Sequence, residues 1–261
     1  MTIVIVANNK YVEFLTTLLL SIKKNIVCRI EIYVINNGLS IETKKLCKTI
    51  SFNSHEITFV NFEDLINTFP SEYKKLSPHF WRLFAPKLLK DKPRILYLDV
   101  DTIIRKDISQ LFLFDMQNKT IAAVVDYLEN IETGISNYSS FGMNPQEKYF
   151  NSGVLLIDTN RFLELQIAEK IIEITKNNLN FTKACGKWEQ YDQYGFNVVL
   201  NNDWLELPIA YNYGSELAFF DASIVHFNGH GKPSSITCNL HYKNEFYNYF
   251  NEVTTLKNQL F

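Results

Sequence analysis

An apolar run that ends in two acids does most to limit what this chain can become: Arg94-Ile-Leu-Tyr-Leu-Asp99-Val-Asp101-Thr102. Ile95 to Leu98 has the length and the β-branched and aromatic content of a buried strand. Side chains of an extended segment alternate faces, so Asp99 and Asp101 project to the same side and can converge on one cation. In an open α/β sheet ligands bind at the carboxyl ends of the strands, and this is the end that carries the acids. Two hard oxygen donors suit Mg2+ or Mn2+, which keep positions open for the phosphate oxygens of a substrate. Taken alone, the pair has a second reading: one Asp caps the helix suggested by Asp107 to Phe114 and the other is a turn residue.

With 261 residues, 46% of them hydrophobic, the chain can bury the core of one large domain or of two closely joined halves. The formal net charge is −2 and no basic cluster follows a helix face, which argues against an extended nucleic-acid surface. Cys28, Cys47, Cys185 and Cys238 are far apart with no Cys-x-x-Cys, so neither a zinc site nor a disulfide framework is expected, and a reducing, intracellular setting fits. The start, Met1-Thr-Ile-Val-Ile-Val-Ala7, lacks a basic leader and is too short for a spanning helix; it reads as a first strand. The sequons at Asn118, Asn137 and Asn180 are expected to carry no glycan in an Asn-rich cytosolic chain. Aromatic residues make up 14% of the chain, and most of them are expected in the core.

Strand and helix patterns alternate. The strand Thr2 to Ala7 leads to a segment with Leu15, Leu18, Leu19 and Ile22 on one helical face. Then come a strand Arg29 to Ile35, a turn at Asn36-Asn37-Gly38, a helix Ile41 to Ile50 and a strand Ile57 to Phe62. A helix between Pro78 and Leu89, carrying Arg82, precedes the acidic strand. Beyond it lie a strand Ile121 to Val125 and a polar, aromatic stretch Asp126 to Lys148 that reads as a functional loop or lid. Val154 to Ile157 is a strand, Asn160 to Lys176 a helix, and Trp188 to Leu200 a helix or turn. This order predicts an α/β fold with a mostly parallel, Rossmann-like central sheet flanked by helices. Neither a Gly-x-Gly-x-x-Gly nor a P-loop follows the first strand, so a nucleotide would be held by a metal and side chains.

Four further stretches bear on the acids: Ile224-Val-His226-Phe-Asn-Gly229-His230-Gly-Lys232-Pro233, Tyr149-Phe-Asn151-Ser152-Gly153, Asp192-Gln193, and Arg82. In these motifs and their order the chain, from Thr2 to about Pro233, resembles glycosyltransferase family 8, retaining enzymes of the A-type glycosyltransferase fold that include glycogenin and bacterial lipopolysaccharide galactosyl- and glucosyltransferases. The resemblance implies that Asp99, Asp101 and His226 hold Mn2+, with Mg2+ possible, against the diphosphate of a UDP-sugar. It implies that Gly229 and Lys232 contact the phosphates, and that Arg82 reaches the donor sugar. Asp126, Asn151, Ser152, Asp192 and Gln193 fall on the sugar pocket; Ala7, Asn8 and Tyr11 fall on the uridine site, and Val100 lies between the metal acids. His230 falls on a variable position and is expected to be a bystander. Three departures stand out: the family often has Asp where Asn8 stands, Asn where Lys10 stands, and Trp where Ser234 follows Pro233.

The activity so implied is metal-dependent transfer of a hexose, glucose or galactose, from a UDP-sugar to a hydroxyl of a glycan acceptor such as lipopolysaccharide, capsule or a glycosylated protein. Lys232 and the metal would stabilise the leaving diphosphate, and Gln193 and Asp192 would act as positioning groups in a front-side attack. Residues 1–235 would form the catalytic domain, divided into a nucleotide-binding half, 1–101, and a sugar and acceptor half, 102–235. Residues 236–261 would form a helical segment, a weak interfacial helix or, the favoured reading, a helix packed on the domain. A cytoplasmic placement is expected, at most peripheral at the inner face of the membrane. The rival readings are a catalytically silent sugar-nucleotide or glycan-binding protein on the same fold, and an aspartyl-phosphate phosphatase of the haloacid dehalogenase type. Such phosphatases need a late acidic pair, and this chain has no adjacent Asp-Asp.

Overall fold

The computed structural model describes residues 1–67, 69–184 and 188–261, so Cys185 lies outside the described residues. The strands are β1 (Thr2–Ala7), β2 (Glu31–Asn36), β3 (Glu56–Asn61), β4 (Arg94–Leu98), β5 (Thr102–Ile104), β6 (Ile121–Asn130), β7 (Lys148–Asp158), β8 (Lys183–Ala184), β9 (Trp188–Glu189), β10 (Trp204–Glu206), β11 (Tyr213–Gly214) and β12 (Ile224–His226). Seven of them make the central sheet in the order β10-β6-β7-β4-β1-β2-β3, and β11-β12-β5 make a smaller one. Within the large sheet only β7 runs against its neighbours, β4 and β6; the other pairs are parallel. The sheet is therefore mostly parallel, as the alternating pattern predicts.

Burial on both faces explains why Ile3 to Ala7 of β1 and Ile95 to Leu98 of β4 are apolar rather than alternating. Helix α1 (Val12–Asn25) covers one face with Leu15, Leu18, Leu19 and Ile22, all fully buried. Helix α2 (Ile41–Ser51) starts where Ser40 accepts a hydrogen bond from the Thr43 backbone N–H at 3.1 Å, an N-cap.

Five stretches differ from the sequence expectation. Pro78 to Leu89 is a 3-10 helix, Pro78–Phe84, followed by one α turn, α4 (Ala85–Leu88), with α3 (Phe62–Ile66) packed nearby. Pro86 lacks an N–H, and its ring would meet the carbonyl of Arg82, so an α-helix must restart there. Asp126 to Lys148 is not an open loop: β6 continues to Asn130, α5 (Ile131–Gly134) and a 3-10 turn Tyr138–Phe141 follow, and Leu128, Ile131, Ile135 and Met143 bury themselves with Tyr149 and Tyr194. These elements are too short to show a period. The helix expected from Asn160 to Lys176 is two, α6 (Thr159–Glu164) and α7 (Ile167–Asn177), broken where Gln166 takes a left-handed φ of 52°. Finally, α8 (Tyr191–Val199) begins only after the short β9, and the turn after Asp107 is 3-10 rather than α, Ser109–Leu113.

The C-terminal helix, α9 (Leu240–Leu260), lies against α1. Tyr242 and Phe246 share a cluster with Ile103, Val225 and Phe227, and Val253 joins the main core with residues of β1, β4 and β12. Residues 1–101, 102–235 and 236–261 thus contribute to common cores. Phe246, 4% exposed, packs its ring 5.2 Å from that of Phe227 and 5.3 Å from that of Phe14. Phe246→Ala is expected to cost about 3–5 kcal/mol in urea unfolding, whereas Phe52→Ala, at a residue 68% exposed, should stay within about 0.5 kcal/mol.

Candidate active site

The acids leave β4 in a turn pinned at both ends. The Asp99 N–H donates to the Gly153 carbonyl of β7 at 2.7 Å, the Thr102 hydroxyl donates to the Asp99 carbonyl at 2.8 Å, and the Phe227 N–H donates to the Asp101 carbonyl at 2.8 Å. Antiparallel pairing of β5 with β12 sets His226 opposite Thr102. His226 Nε2 then stands 3.2 Å from Asp101 Oδ1 and 3.6 Å from Asp99 Oδ2. One donor atom of each of the three side chains lies within 4.8 Å of the others. Two carboxylates and an imidazole in that compass fit a divalent cation of the Mn2+ or Mg2+ kind.

Gly153 makes room for them. Between Ala123 and Val124 the β6–β7 register shifts, so that Val124 faces Asn151 while Ala123 faces Leu155. Irregular pairing of this sort re-aims side chains beside active sites, and here it falls on the part of β7 that holds Asn151, Ser152 and Gly153. A Cβ on Gly153 would run into the His226 ring and stand 2.8 Å from Asp99 Oδ2.

Charges surround the cluster in pairs. Lys232 Nζ pairs with Asp101 Oδ2. Burial alone would push the Asp101 carboxyl up, but His226 and Lys232 beside it hold it below its usual range. Burial likewise opposes the charge on His226, and Asp101, then Asp99, outweigh it and raise its pKa. The Arg82 side chain is buried, with Nε 2.9 Å from Asp192 Oδ2 and Nη1 3.4 Å from Asp99 Oδ1. It also donates to the Ser152 carbonyl at 2.6 Å and lies over the Tyr97 ring, 4.5 Å from its centroid. Its burial disfavours the cation, yet Asp192 and Asp99 raise its pKa, so it stays charged. Burial raises Asp126, and raises Asp192 despite Arg82.

A cavity of about 470 Å³ opens beside the cluster, lined by Arg82, Asp126, Asn151, Ser152, Asp192, Gln193, His226 and Gly229 among others. A second, of about 200 Å³, is lined by Ala7, Asn8, Tyr11, Val100 and Lys232. His79, Arg82, Asp99 and Asp101 line both. The site residues read from the sequence therefore fall on two adjoining cavities divided by the acidic turn. Asn8 Oδ1 accepts from the Lys10 N–H at 2.9 Å and so caps the turn that follows β1. Gln193 is engaged at both ends: Oε1 accepts from the Ser152 N–H at 2.9 Å and its hydroxyl at 3.2 Å, and Nε2 donates to Asp126 Oδ2 at 3.2 Å. His230, expected as a bystander, lines the larger cavity.

The sequence reading missed His79, Tyr127, Glu216 and Asn212. The first three line the larger cavity; Asn212 lies behind it, its Oδ1 2.9 Å from His226 Nδ1. None belongs to a spaced motif. Asn212 reaches the site because β11, which starts one residue later, pairs parallel with β12 and sets Gly214 beside His226.

A mostly parallel sheet with a cavity and an Asp-Asp-His cluster at its carboxyl edge is the architecture of an A-type glycosyltransferase. Residues 2–234 match the sequence model of glycosyl transferase family 8, and the chain belongs to that family. It is 27% identical over 278 residues to General stress protein A of Bacillus subtilis, covering 95% of this chain and 92% of that protein. It is 33% identical over 172 residues to lipopolysaccharide 1,2-glucosyltransferase of Escherichia coli, covering 65% of this chain and 48% of that one. The galactosyltransferase LgtC, solved with donor and acceptor sugar analogues, superposes with a TM-score of 0.77 at 20% identity over 97% of this chain and 96% of its own.

The Gly153 contact yields a direct expectation. Gly153→Ala should weaken divalent-cation binding at least about tenfold in calorimetric titration while circular dichroism stays unchanged; wild-type affinity in that variant would contradict the packing described.

Proposed function

We propose that this glycosyltransferase moves a hexose, glucose or galactose, from a UDP-sugar to a hydroxyl of a glycan acceptor, with retention at the anomeric carbon and with Mn2+ as the preferred cation. The observation that carries the reading is the Asp99, Asp101 and His226 cluster, with Lys232 beside it, standing between two cavities in a family 8 chain. Imidazole in the donor set favours Mn2+ over Mg2+, though the carboxylates accept either.

In this reading the smaller cavity takes the uridine on Ala7, Asn8 and Tyr11, and the larger takes the sugar. A bound divalent cation would supply positive charge against the diphosphate as the bond to the anomeric carbon breaks. Lys232, which lines the smaller cavity, would add a second charge to the same oxygens, held in place before the reaction as in an oxyanion hole, and Gly229 would let the backbone approach them. Arg82, fixed by Asp192 and the Ser152 carbonyl, presents its guanidinium to the donor. Asp126 and Asn151 accept and donate hydrogen bonds to hydroxyls. The Gln193 carbonyl oxygen is occupied by Ser152, and an amide oxygen is a weak nucleophile. Gln193 and Asp192 are therefore positioning groups, and the acceptor hydroxyl attacks from the face the diphosphate leaves, passing its proton to the departing phosphate.

The acceptor is a glycan, glycolipid or glycoprotein. Lipopolysaccharide fits the name of one relative. Among the described residues no helix is long and apolar enough to cross a membrane; we place the enzyme in the cytoplasm, with at most peripheral membrane contact.

UDP release from UDP-glucose, UDP-galactose and their N-acetyl forms, with Mn2+ present, tests the reading. One hexose donor should turn over, and Asp101→Ala should lower that rate at least about 100-fold; no turnover of any donor by folded protein would overturn it. Gln193→Glu should lower turnover, and mass spectra should show no glycosyl adduct on that residue. An adduct there would replace front-side attack with double displacement.

A further inference from the structure

We infer that Asn212 is a positioning residue that fixes the tautomer of His226 and joins the metal cluster to the sugar pocket through one hydrogen-bonded chain. The inference deepens the function proposed above and rests on it.

The chain of hydrogen bonds can be read from an end that admits one orientation. A backbone N–H can only donate, and that of Gly153 lies 2.9 Å from Asn151 Oδ1. This sets the Asn151 amide, so its Nδ2 faces Asp126 Oδ2 at 2.7 Å, and a carboxylate is the right partner for a donor. The Asn212 atom that meets Asn151 Oδ1 at 2.8 Å must then be its Nδ2. The other end of that amide, Oδ1, lies 2.9 Å from His226 Nδ1. An amide oxygen only accepts, so Nδ1 carries a hydrogen, and Nε2 is the ring atom that faces Asp101 Oδ1 at 3.2 Å and Asp99 Oδ2 at 3.6 Å. A histidine that ligates a metal usually gives its other N–H to an oxygen that holds the ring. Here the oxygen belongs to an amide whose nitrogen does a second task. Asn212 is 9% exposed, so water competes little for these bonds.

The far end of the chain is the sugar pocket. Asp126 Oδ2 accepts from both Asn151 and Gln193 Nε2, the latter at 3.2 Å. A disturbance at Asn212 thus has two separable consequences: loss of its oxygen frees His226, and loss of its nitrogen frees Asn151 to turn away from Asp126.

Two substitutions separate them. Asn212→Ala removes both functions. Asn212→Asp keeps an acceptor for Nδ1–H but sets an oxygen against Asn151 Oδ1. In calorimetry, Asn212→Ala should bind Mn2+ roughly 10- to 100-fold more weakly than wild type. Asn212→Asp should stay within about threefold for Mn2+, and for UDP with Mn2+, while its affinity for the UDP-hexose bound by wild type falls at least about tenfold. Nitrogen NMR of histidine-labelled protein should show the His226 Nδ1–H hydrogen-bonded in wild type and in the Asp variant, and that bond lost in the Ala variant. Wild-type Mn2+ affinity in Asn212→Ala, equal loss of Mn2+ in both variants, or an Asp variant that binds UDP-hexose as wild type does, would each overturn the inference. Failure of wild type to bind Mn2+ would instead overturn the metal site, and the NMR result would still decide the role of Asn212 towards His226.

Discussion

The pairing of Thr102–Ile104 with Ile224–His226 decides whether this chain has a site at all. A slip of one residue in that ladder would turn His226 to the opposite face, leaving two acids with no third donor. The register is held by burial on both sides of the small sheet. Ile103, Ile104, Ile224 and Val225 are all fully buried, Phe227 continues the strand into the core, and Tyr242 and Phe246 of the C-terminal helix close over them. That helix is distant from the acids in sequence. Its contribution to function is to fix the strand that delivers the histidine.

Around this corner the charges are arranged so that each has an opposite neighbour. Bringing an ion out of water costs several kcal/mol unless a partner and hydrogen bonds replace the lost hydration. Arg82 stands between Asp192 and Asp99, Asp101 stands between Lys232 and His226, and Tyr97 donates to Asp99 Oδ1 at 2.6 Å. Each of these charged groups is held by another, which under the proposed function would let them oppose charge building on a leaving group without first reorganising. It also explains the cavity plan. The acidic turn is a wall shared by two cavities, and Arg82 and the acids belong to both, so a ligand that fills the two must cross the cluster.

Much of this was legible in the sequence for a physical reason: the residues that bear charge or bend the backbone sit in short, spaced motifs. The Asp99 and Asp101 pair at the end of an apolar run and the alternation of strand and helix could be read from the residues alone, whereas His226, Lys232 and Asn151 were tied to the acids by the family resemblance of their motifs, and the strand expected from Val154 begins at Lys148. What escaped was set by tertiary packing. The stretch from Asp126 to Lys148 is polar and irregular in sequence, yet its few apolar residues, with Tyr149 and Tyr194, make a core of their own. Pro86 breaks a helix whose aromatic residues suggest continuity. Asn212 has no motif to mark it, since its role comes from the strand beside His226, and His79 and Glu216 reach the cavity from a 3-10 turn and a loop.

Electron spin-echo spectroscopy of Mn2+ with UDP and the wild-type protein bears most directly on the claim that Asp99, Asp101 and His226 hold the cation against a diphosphate. The account predicts modulation from one histidine nitrogen, lost in His226→Ala, together with couplings to both phosphorus nuclei of UDP. A spectrum of Mn2+ that shows phosphorus but no histidine nitrogen, or no phosphorus at all, would contradict it.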